Sequence, residues 1–505
     1  MSDLTVIAPL SVEARAVRAG APWANVHQIG MGPRRAARHA GLVDGGAVLI
    51  AGFCGALDPE LEPGDVVLAS ELRGPTGTTH LPDPAILAGV LRRDGLSVRV
   101  GPIASSQRLV VRERRRILQR TGALAVDMES AWLAPAAHAQ PLVTLRVVLD
   151  THRHELHRPL RTVAGAAVAY RTLRRACALV EDWARALGPR EVVLASPRAS
   201  CAGVVRAVEI VERALESRGA PIYVRKQIVH NTHVVADLER RGAIFVDEVD
   251  EVPSGATVIF SAHGVSPAVR SAAAKRHLDM IDATCPLVAK VHAEARRFAE
   301  SGLDIVLVGH EGHEEIEGTF GEAPTRMHVI ASADDAKSVR LRDPERVAYL
   351  TQTTLAIDET AGVVDALRKR FPALVGPASS DICYATQNRQ DAVRALSSDC
   401  DVVLVVGSGN SSNSRRLVEV AQRAGRPAAL VEGGDDIAPE LLIGCRRVGL
   451  TAGASAPEAV VEGVMRALDG LGGATVCERT VAREEVHFKL PPEVRSVEAV
   501  PCPSR

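Results

Sequence analysis

Short runs of valine, isoleucine and leucine alternate with longer stretches of helical period along most of this chain. ALAVDMESAWLAPAA is followed by LVTLRVVLD, and DIVLVGH and DVVLVVGS come later. Apolar runs of strand length, bounded by turn residues and separated by helical patterns, predict an α/β fold with largely parallel sheets. The pattern also predicts a helix from about Val163 to Leu187. It ends at Gly188-Pro189, where glycine supplies a C-cap and proline forbids continuation, and the strand EVVLAS follows directly. A boundary there divides the chain into a first domain, 1–187, and a second, 190–490, with 491–505 as a C-terminal tail. A length of 505 residues exceeds what one hydrophobic core ordinarily supports, which agrees with that division.

Within the second part, three segments share one plan of strand, short polar turn, cysteine and helix: VVLASPRASCAGVVRAVEIV, MIDATCPLVAKVHAEARRF and SSDICYATQNRQDAVRAL. Ligands of open α/β sheets gather outside the carboxyl ends of the strands. The repetition therefore predicts three α/β units in a pseudo-threefold arrangement, with Cys201, Cys285 and Cys383 at its centre.

Composition narrows the chemistry only a little. Apolar residues make up 46% and charged residues 24%, as in ordinary globular proteins, and the formal net charge of -1 argues against a protein that coats nucleic acid or an anionic membrane. The arginine-rich run from Arg112 to Arg120 reads as a solvated helix face. MSDLTVIAPL lacks the basic and apolar blocks of a leader, and no apolar stretch reaches membrane-spanning length, so a cytoplasmic protein without membrane insertion is expected. In that compartment the nine cysteines are expected as thiols.

A cysteine at the start of a helix benefits from the positive end of the helix dipole, which favours the thiolate that a metal requires. Cys54, Cys177, Cys400, Cys445, Cys477 and Cys502 read as buried apolar cysteines. The trio Cys201, Cys285 and Cys383 reads differently. A structural zinc site takes four ligands, often in close pairs, and no such pair occurs here. Three thiolates from distant loops suit a four-iron cluster with one iron left open, which can act as a Lewis acid while the cluster supplies electrons. Histidines and small hydroxyl residues recur at turn positions: His230, His263 and His313 with Glu315, then Thr351 to Thr354, Ser411-Ser412-Asn413 and Ser455. Imidazole beside glycine-rich backbone is a means of gripping phosphate oxygens.

These strings have a family likeness. PRASCAGVVRAVEIV, IVHNTHVV, FSAHGVSPAVR, DATCPLVAKVH, GHEGHEEIEGT, TQTTL, DICYATQNRQ, GSGNSSNS and TAGASAP resemble the 4-hydroxy-3-methylbut-2-enyl diphosphate reductases of the non-mevalonate isoprenoid pathway, from about Val192 to Leu490. The resemblance implies a [4Fe–4S] cluster on Cys201, Cys285 and Cys383 whose open iron receives the substrate hydroxyl. It implies a diphosphate held by His230, His263, His313, Ser411, Ser412, Asn413 and Ser455. It makes Glu315 the proton donor and Thr353 the hydroxyl that orders water and the substrate alcohol, with Thr386 in the same pocket. The allylic diphosphate becomes isopentenyl or dimethylallyl diphosphate, and a ferredoxin- or flavodoxin-type donor supplies electrons. Where the family commonly has proline this chain has Glu314, and it departs again near Ala199 and Ser200.

Two other readings compete with reduction. An iron–sulfur dehydratase also uses an open iron on three cysteines, but its carboxylate substrate calls for additional arginines at the loop ends. A cluster-based sensor or electron carrier has no need of Glu315 or of the diphosphate set.

In the first domain, PLSVEARAV, IGMGPRRAA, GFCGALDPELEPGDVV, AVDMESA and RVVLD follow the motif order of the nucleoside phosphorylase and methylthioadenosine/adenosylhomocysteine nucleosidase superfamily. The phosphorylase-like proteins associated with hopanoid synthesis look most similar. That resemblance implies that Glu13 positions a water or aids the nucleophile, that Met128 and Glu129 bind ribose, and that Asp150 protonates the departing purine. The aromatic residues that stack on the purine are not visible in the sequence.

Overall fold

Valine- and leucine-rich runs that lie between two packed layers need no polar face, and the strands of this protein show that pattern in the computed structural model, which describes residues 4–43, 46–75, 77–136, 141–153 and 159–495. By contact density the chain divides into two compact units. The first comprises residues up to Val192 with Gly433–Val448 and Glu462–Cys477, and the second comprises Val193–Glu432, Gly449–Val461 and the chain from Glu478.

The first unit is built on eight strands: β1 (Thr5–Ala8), β2 (Asn25–Gln28), β3 (Val48–Ala56), β4 (Val66–Gly74), β5 (Gly77–His80), β6 (Val98–Ser105), β7 (Ala125–Asp127) and β8 (Leu142–Asp150). They run in the order β2-β1-β3-β7-β6-β4-β5, and β8 pairs with both β3 and β4, so that five of the strands close into a ring. The long β3 and β8 run parallel, with an irregularity at Cys54/Gly55. Their apolar residues, including Val48, Ile50 and Val148, share a core with Ile7, Val67 and Ile103.

Three further sheets follow along the chain. Strands β9 (Arg190–Ser196), β10 (Ile222–Arg225), β11 (Ala243–Val246), β12 (Thr257–Phe260), β13 (Asp279–Asp282), β14 (Asp304–Val308), β15 (Met327–Ile330), β16 (Val347–Thr351), β17 (Val402–Val406), β18 (Ala428–Val431), β19 (Arg447–Ala452) and β20 (Ala474–Thr480) supply them. Their orders are β11-β10-β12-β13, β15-β14-β16 and β18-β17-β19-β9-β20. The expected three α/β units are thus present. The four-stranded sheet is parallel throughout, and its register is unbroken across β10, β11, β12 and β13. Helix Pro286–Glu300, opened by a proline at its first turn, buries Val288, Val291, Ala295 and Phe298 at three- and four-residue spacing. Val291, Ala295 and Phe298 pack with Ile305 and Leu307 of β14.

Three details differ from the sequence reading. The helix expected from about Val163 to Leu187 is two helices, Pro159–Ala178 and Val180–Arg185, because the amide of Leu179 bonds back to Ala176 O in a tighter turn. The strand expected before Cys383 is missing: Val375 makes one isolated bridge to Ala348, and the following residues reach Cys383 as turn. The run from Arg112 is not wholly a solvated face, since Arg115 is 3% exposed within helix Arg112–Gln119 while Ile117 is 56% exposed. Cys502 and the last ten residues of the expected tail lie outside the described residues. Among the described residues, no helix is long and apolar enough to cross a membrane.

Candidate active site

Each of the three central cysteines occupies the N-cap of a helix: Cys201 before Ala202–Arg218, Cys285 before Pro286–Glu300 and Cys383 before Tyr384–Asp399. Each is pinned by its own amide to a loop that follows a strand. Cys201 N donates to Ala454 O (3.1 Å) beyond β19, Cys285 N to Ala262 O (3.0 Å) beyond β12, and Cys383 N to Thr353 O (3.1 Å) beyond β16. One strand end from each of the three sheets therefore fixes one cysteine. The sulfurs line a single pocket. A Cβ on Gly203 would lie 2.7 Å from Cys285 Sγ and 3.8 Å from Cys201 Sγ, so only glycine lets the two sulfurs come this near. Thr386 Oγ1 lies 3.1 Å from Cys383 Sγ.

The same pocket gathers His230, His263, His313, Glu315, Thr353, Thr386, Ser411, Ser412, Asn413 and Ser455. The rings of His230 and His263 are stacked at 4.1 Å, and His313 stands edge-on to them at 5.5 and 5.9 Å. His313 Nδ1 accepts the amide hydrogen of Glu315 (3.1 Å), which leaves its ring proton on Nε2. Burial, with the charge of the neighbouring His263 added, pushes His230 down to about 3 and His313 to about 4. Ser411 caps helix Ser412–Arg423 through Ser414 N (3.3 Å), and Ser455 Oγ donates to His230 O (2.9 Å). Both amide atoms of Asn413 and the Nδ1 of His230 are buried without a hydrogen-bond partner. Such groups are costly to leave unmet, and they mark a pocket shaped for a polar ligand.

Glu315 is 3% exposed and receives two hydrogen bonds from one residue, Thr353 N (2.7 Å) and Thr353 Oγ1 (3.0 Å). Burial raises its pKa, and these two hydrogen bonds only partly oppose the shift.

A second pocket, in the first unit, is lined by Glu13, Phe53, Met128, Glu129 and Asp150. Each oxygen of Glu13 accepts one backbone hydrogen bond, from Leu10 N and Phe53 N, both at 2.6 Å. Burial lifts its pKa to about 7 against the pull of Arg146. Arg146, fully buried, pairs with Asp127 (2.7 Å) and approaches Glu129 (3.6 Å), and Glu129 accepts from Gly32 N (2.8 Å). Asp150 is ion-paired with the buried Arg115, which also donates to Ala56 O (2.9 Å).

Residues 192–469 match the family model described as LytB protein. The chain belongs to the LytB protein family. Among its relatives, 4-hydroxy-3-methylbut-2-enyl diphosphate reductase 2 of Mycobacterium bovis is 58% identical over 315 residues, 62% of this chain and 96% of that protein. The reductase of Leifsonia xyli is 58% identical over 309 residues, 61% of this chain and 92% of that protein. A solved reductase structure from Plasmodium falciparum is 37% identical, covers 61% of this chain and 97% of its own, and superposes with a TM-score of 0.58. Residues 15–184 match the phosphorylase superfamily, so the LytB portion follows a phosphorylase-like α/β unit.

In the LytB portion the three cysteines, the seven residues expected to hold the diphosphate, Glu315, Thr353 and Thr386 line one pocket. Glu314 escaped notice as a site residue although it stands in the HEE run, and its Oε2 lies 3.0 Å from His263 Nδ1. Tyr384 and Phe488 also line the pocket, and nothing in their sequence context signals it. In the phosphorylase-like unit the four expected residues share the second pocket, and Phe53 supplies an aromatic ring that the motif order had not revealed.

Replacing Arg146 with methionine strands Asp127 and Glu129 as buried carboxylates, which typically costs about 3–5 kcal/mol. All three tryptophans, Trp23, Trp132 and Trp183, belong to the first unit, so tryptophan fluorescence during denaturant unfolding reports on that unit. A loss of less than about 1 kcal/mol in Arg146→Met would show that the charge cluster contributes little, as exposed pairs do.

Proposed function

We propose that the second unit reductively removes the hydroxyl group of 4-hydroxy-3-methylbut-2-enyl diphosphate, giving isopentenyl and dimethylallyl diphosphate. In this reading Cys201, Cys285 and Cys383 hold a [4Fe–4S] cluster. The observation that carries the proposal is the convergence of three helix-capping cysteines, a polar set with unmet hydrogen-bonding groups, and the buried Glu315 on one pocket.

The cysteines fit such a cluster. Burial, with the negative charge of the neighbouring sulfurs added, pushes the thiol of Cys285 up to about 12 and that of Cys383 to about 11. Thiols gathered in this way give up their protons readily only to a multivalent cation. Among the described residues no fourth cysteine lines the pocket, which leaves one metal position open. When bound, the cluster supplies electrons and a Lewis-acidic iron.

The chain's own residues do the rest. His230, His263, His313, Ser411, Ser412, Asn413 and Ser455 hold the diphosphate, and Thr386 lines the wall beside Cys383. Glu315 keeps a proton because it is buried, and an anionic ligand nearby raises its pKa further. The hydroxyl of Thr353, 3.0 Å from Glu315, orients the substrate alcohol and relays the proton to it. The carbon–oxygen bond breaks as two electrons enter; one proton leaves with the hydroxyl as water and a second goes to carbon. A ferredoxin- or flavodoxin-type protein of the reducing cytoplasm is the proposed electron source.

For the first unit we propose cleavage of the N-glycosidic bond of a purine nucleoside. The observation favouring it is that Glu13, Met128, Glu129, Asp150 and Phe53 line one pocket. Glu13 in its ionised form orients the nucleophile, Met128 and Glu129 hold the ribose, Phe53 packs on the base, and Asp150 protonates the departing purine.

Serine at position 201, 285 or 383 is expected to lower iron and sulfide content sharply in each single variant, because no spare thiolate lies in the pocket. Full occupancy in any one of the three contradicts the ligand assignment.

Glu315→Gln is expected to keep its iron and lose about 10²–10⁴-fold in turnover, as a missing general acid does. The active form is the acid, so wild-type turnover declines as pH rises through the elevated pKa of Glu315. Turnover of the variant within about threefold of wild type would place the donor elsewhere, since general acids are worth far more than that.

In the first unit, base release from adenosyl compounds by the full chain, assayed with and without phosphate, is expected to rise with pH through about 7 as Glu13 ionises. Both Glu13→Gln and Asp150→Asn should reduce it. No release from the wild type, or release from either variant equal to that of the wild type, contradicts the reading.

A further inference from the structure

The side chains lining the first unit's pocket accept hydrogen bonds and offer almost none. Four of them are carboxylic acids, Glu13, Asp127, Glu129 and Asp150. Among the described residues no basic, hydroxyl or amide side chain lines this pocket, and apart from the thiol of Cys54 the rest of the lining is apolar. We infer that the pocket takes water, and not phosphate, as its nucleophile, so that the first unit is a nucleoside hydrolase. The inference rests on the nucleoside reading given above and deepens it.

A phosphate ion presents chiefly acceptor oxygens, and it is held by cationic side chains and free backbone amides. Both kinds of group are already engaged here. The guanidinium of Arg146 lies 2.7 Å from Asp127 and 3.6 Å from Glu129, and that of Arg115 is ion-paired with Asp150. The amides of Leu10 and Phe53 donate to Glu13, that of Gly32 donates to Glu129, and those of Glu129 and Ser130 donate to Asp127. Arg35 is exposed and folds against Gly30, where a Cβ would come 2.6 Å from its Cδ, and it is not part of the lining. Burial raises Glu13 to about 7 and raises Glu129 as well, with Arg146 opposing the shift and a neighbouring carboxylate adding to it in each case. A phosphate dianion placed among these groups would be repelled. The pocket of the second unit, lined by imidazole, hydroxyl and amide groups, is its opposite in this respect.

Water and the ribose hydroxyls bring their own hydrogens, which an acceptor-rich lining requires. In the step inferred, the oxygen of water bonds to the anomeric carbon as the bond from that carbon to the base breaks. Glu13 as carboxylate takes a proton from the water, Asp150 gives one to the base, and exchange with solvent restores both groups. The products are the free base and the free sugar, and nothing is oxidised or reduced.

The test gives adenosine and 5′-methylthioadenosine to the iron-loaded full chain, in phosphate-free buffer and in excess phosphate, and follows both the base and the sugar product. Base release is expected at the same rate in the two buffers, with the free sugar as product in each. Glu13→Gln is expected to lose about 10²–10⁴-fold in that rate, as a missing general base does. Arg35→Ala is expected to lose none, and circular dichroism confirms that both variants are folded. Release that requires phosphate, formation of a sugar 1-phosphate, or a loss in Arg35→Ala comparable to that in Glu13→Gln overturns the inference and leaves the nucleoside reading intact. No release by the wild type in either buffer overturns both.

Discussion

Three sulfur atoms brought to one point at the starts of three helices set the terms for the rest of this structure. Thiolates repel one another, burial penalises their charge, and the close approach of two of them leaves no room for a side chain at Gly203. On the reading proposed here the three sulfurs share a multivalent partner. The arrangement persists because each cysteine amide is tied to a loop beyond a strand of a different sheet, so that the positions of the sulfurs are set by the three sheets and not by flexible loops.

The same strand ends deliver the polar half of the pocket. His230 follows β10, His263 follows β12, His313 follows β14 and the serine-rich turn follows β17. An anion held there meets imidazole, hydroxyl, amide and the N-terminus of helix Ser412–Arg423, with little fixed positive charge. Burial raises the pKa of Glu315 against its two hydrogen bonds from Thr353 and the charge of His263.

Much of the second unit was legible because its chemistry is written in short contiguous strings. A cysteine before a helical pattern is an N-cap in all three cases, and glycine- and serine-rich turns after apolar runs are strand ends. What escaped notice depends on distant partners. Arg115 reads as one more surface arginine because its partner Asp150 lies 35 residues along the chain, and their pairing is made only when β8 meets the helix carrying Arg115. Phe53 sits beside a strand irregularity at Cys54/Gly55, which the alternation of side chains does not reveal. The segments Gly433–Val448 and Glu462–Cys477, compact with the first unit although late in the sequence, carry no local mark of that membership.

The most direct measurement is an anaerobic turnover experiment on the iron-replete full chain, supplied with a chemical one-electron reductant and 4-hydroxy-3-methylbut-2-enyl diphosphate. Electrons consumed and diphosphate products formed are counted together. The account predicts isopentenyl and dimethylallyl diphosphate with two electrons oxidised from the reductant for each molecule of product. Loss of water from the substrate without consumption of electrons, or no reaction by protein carrying its full iron and sulfide, would contradict it.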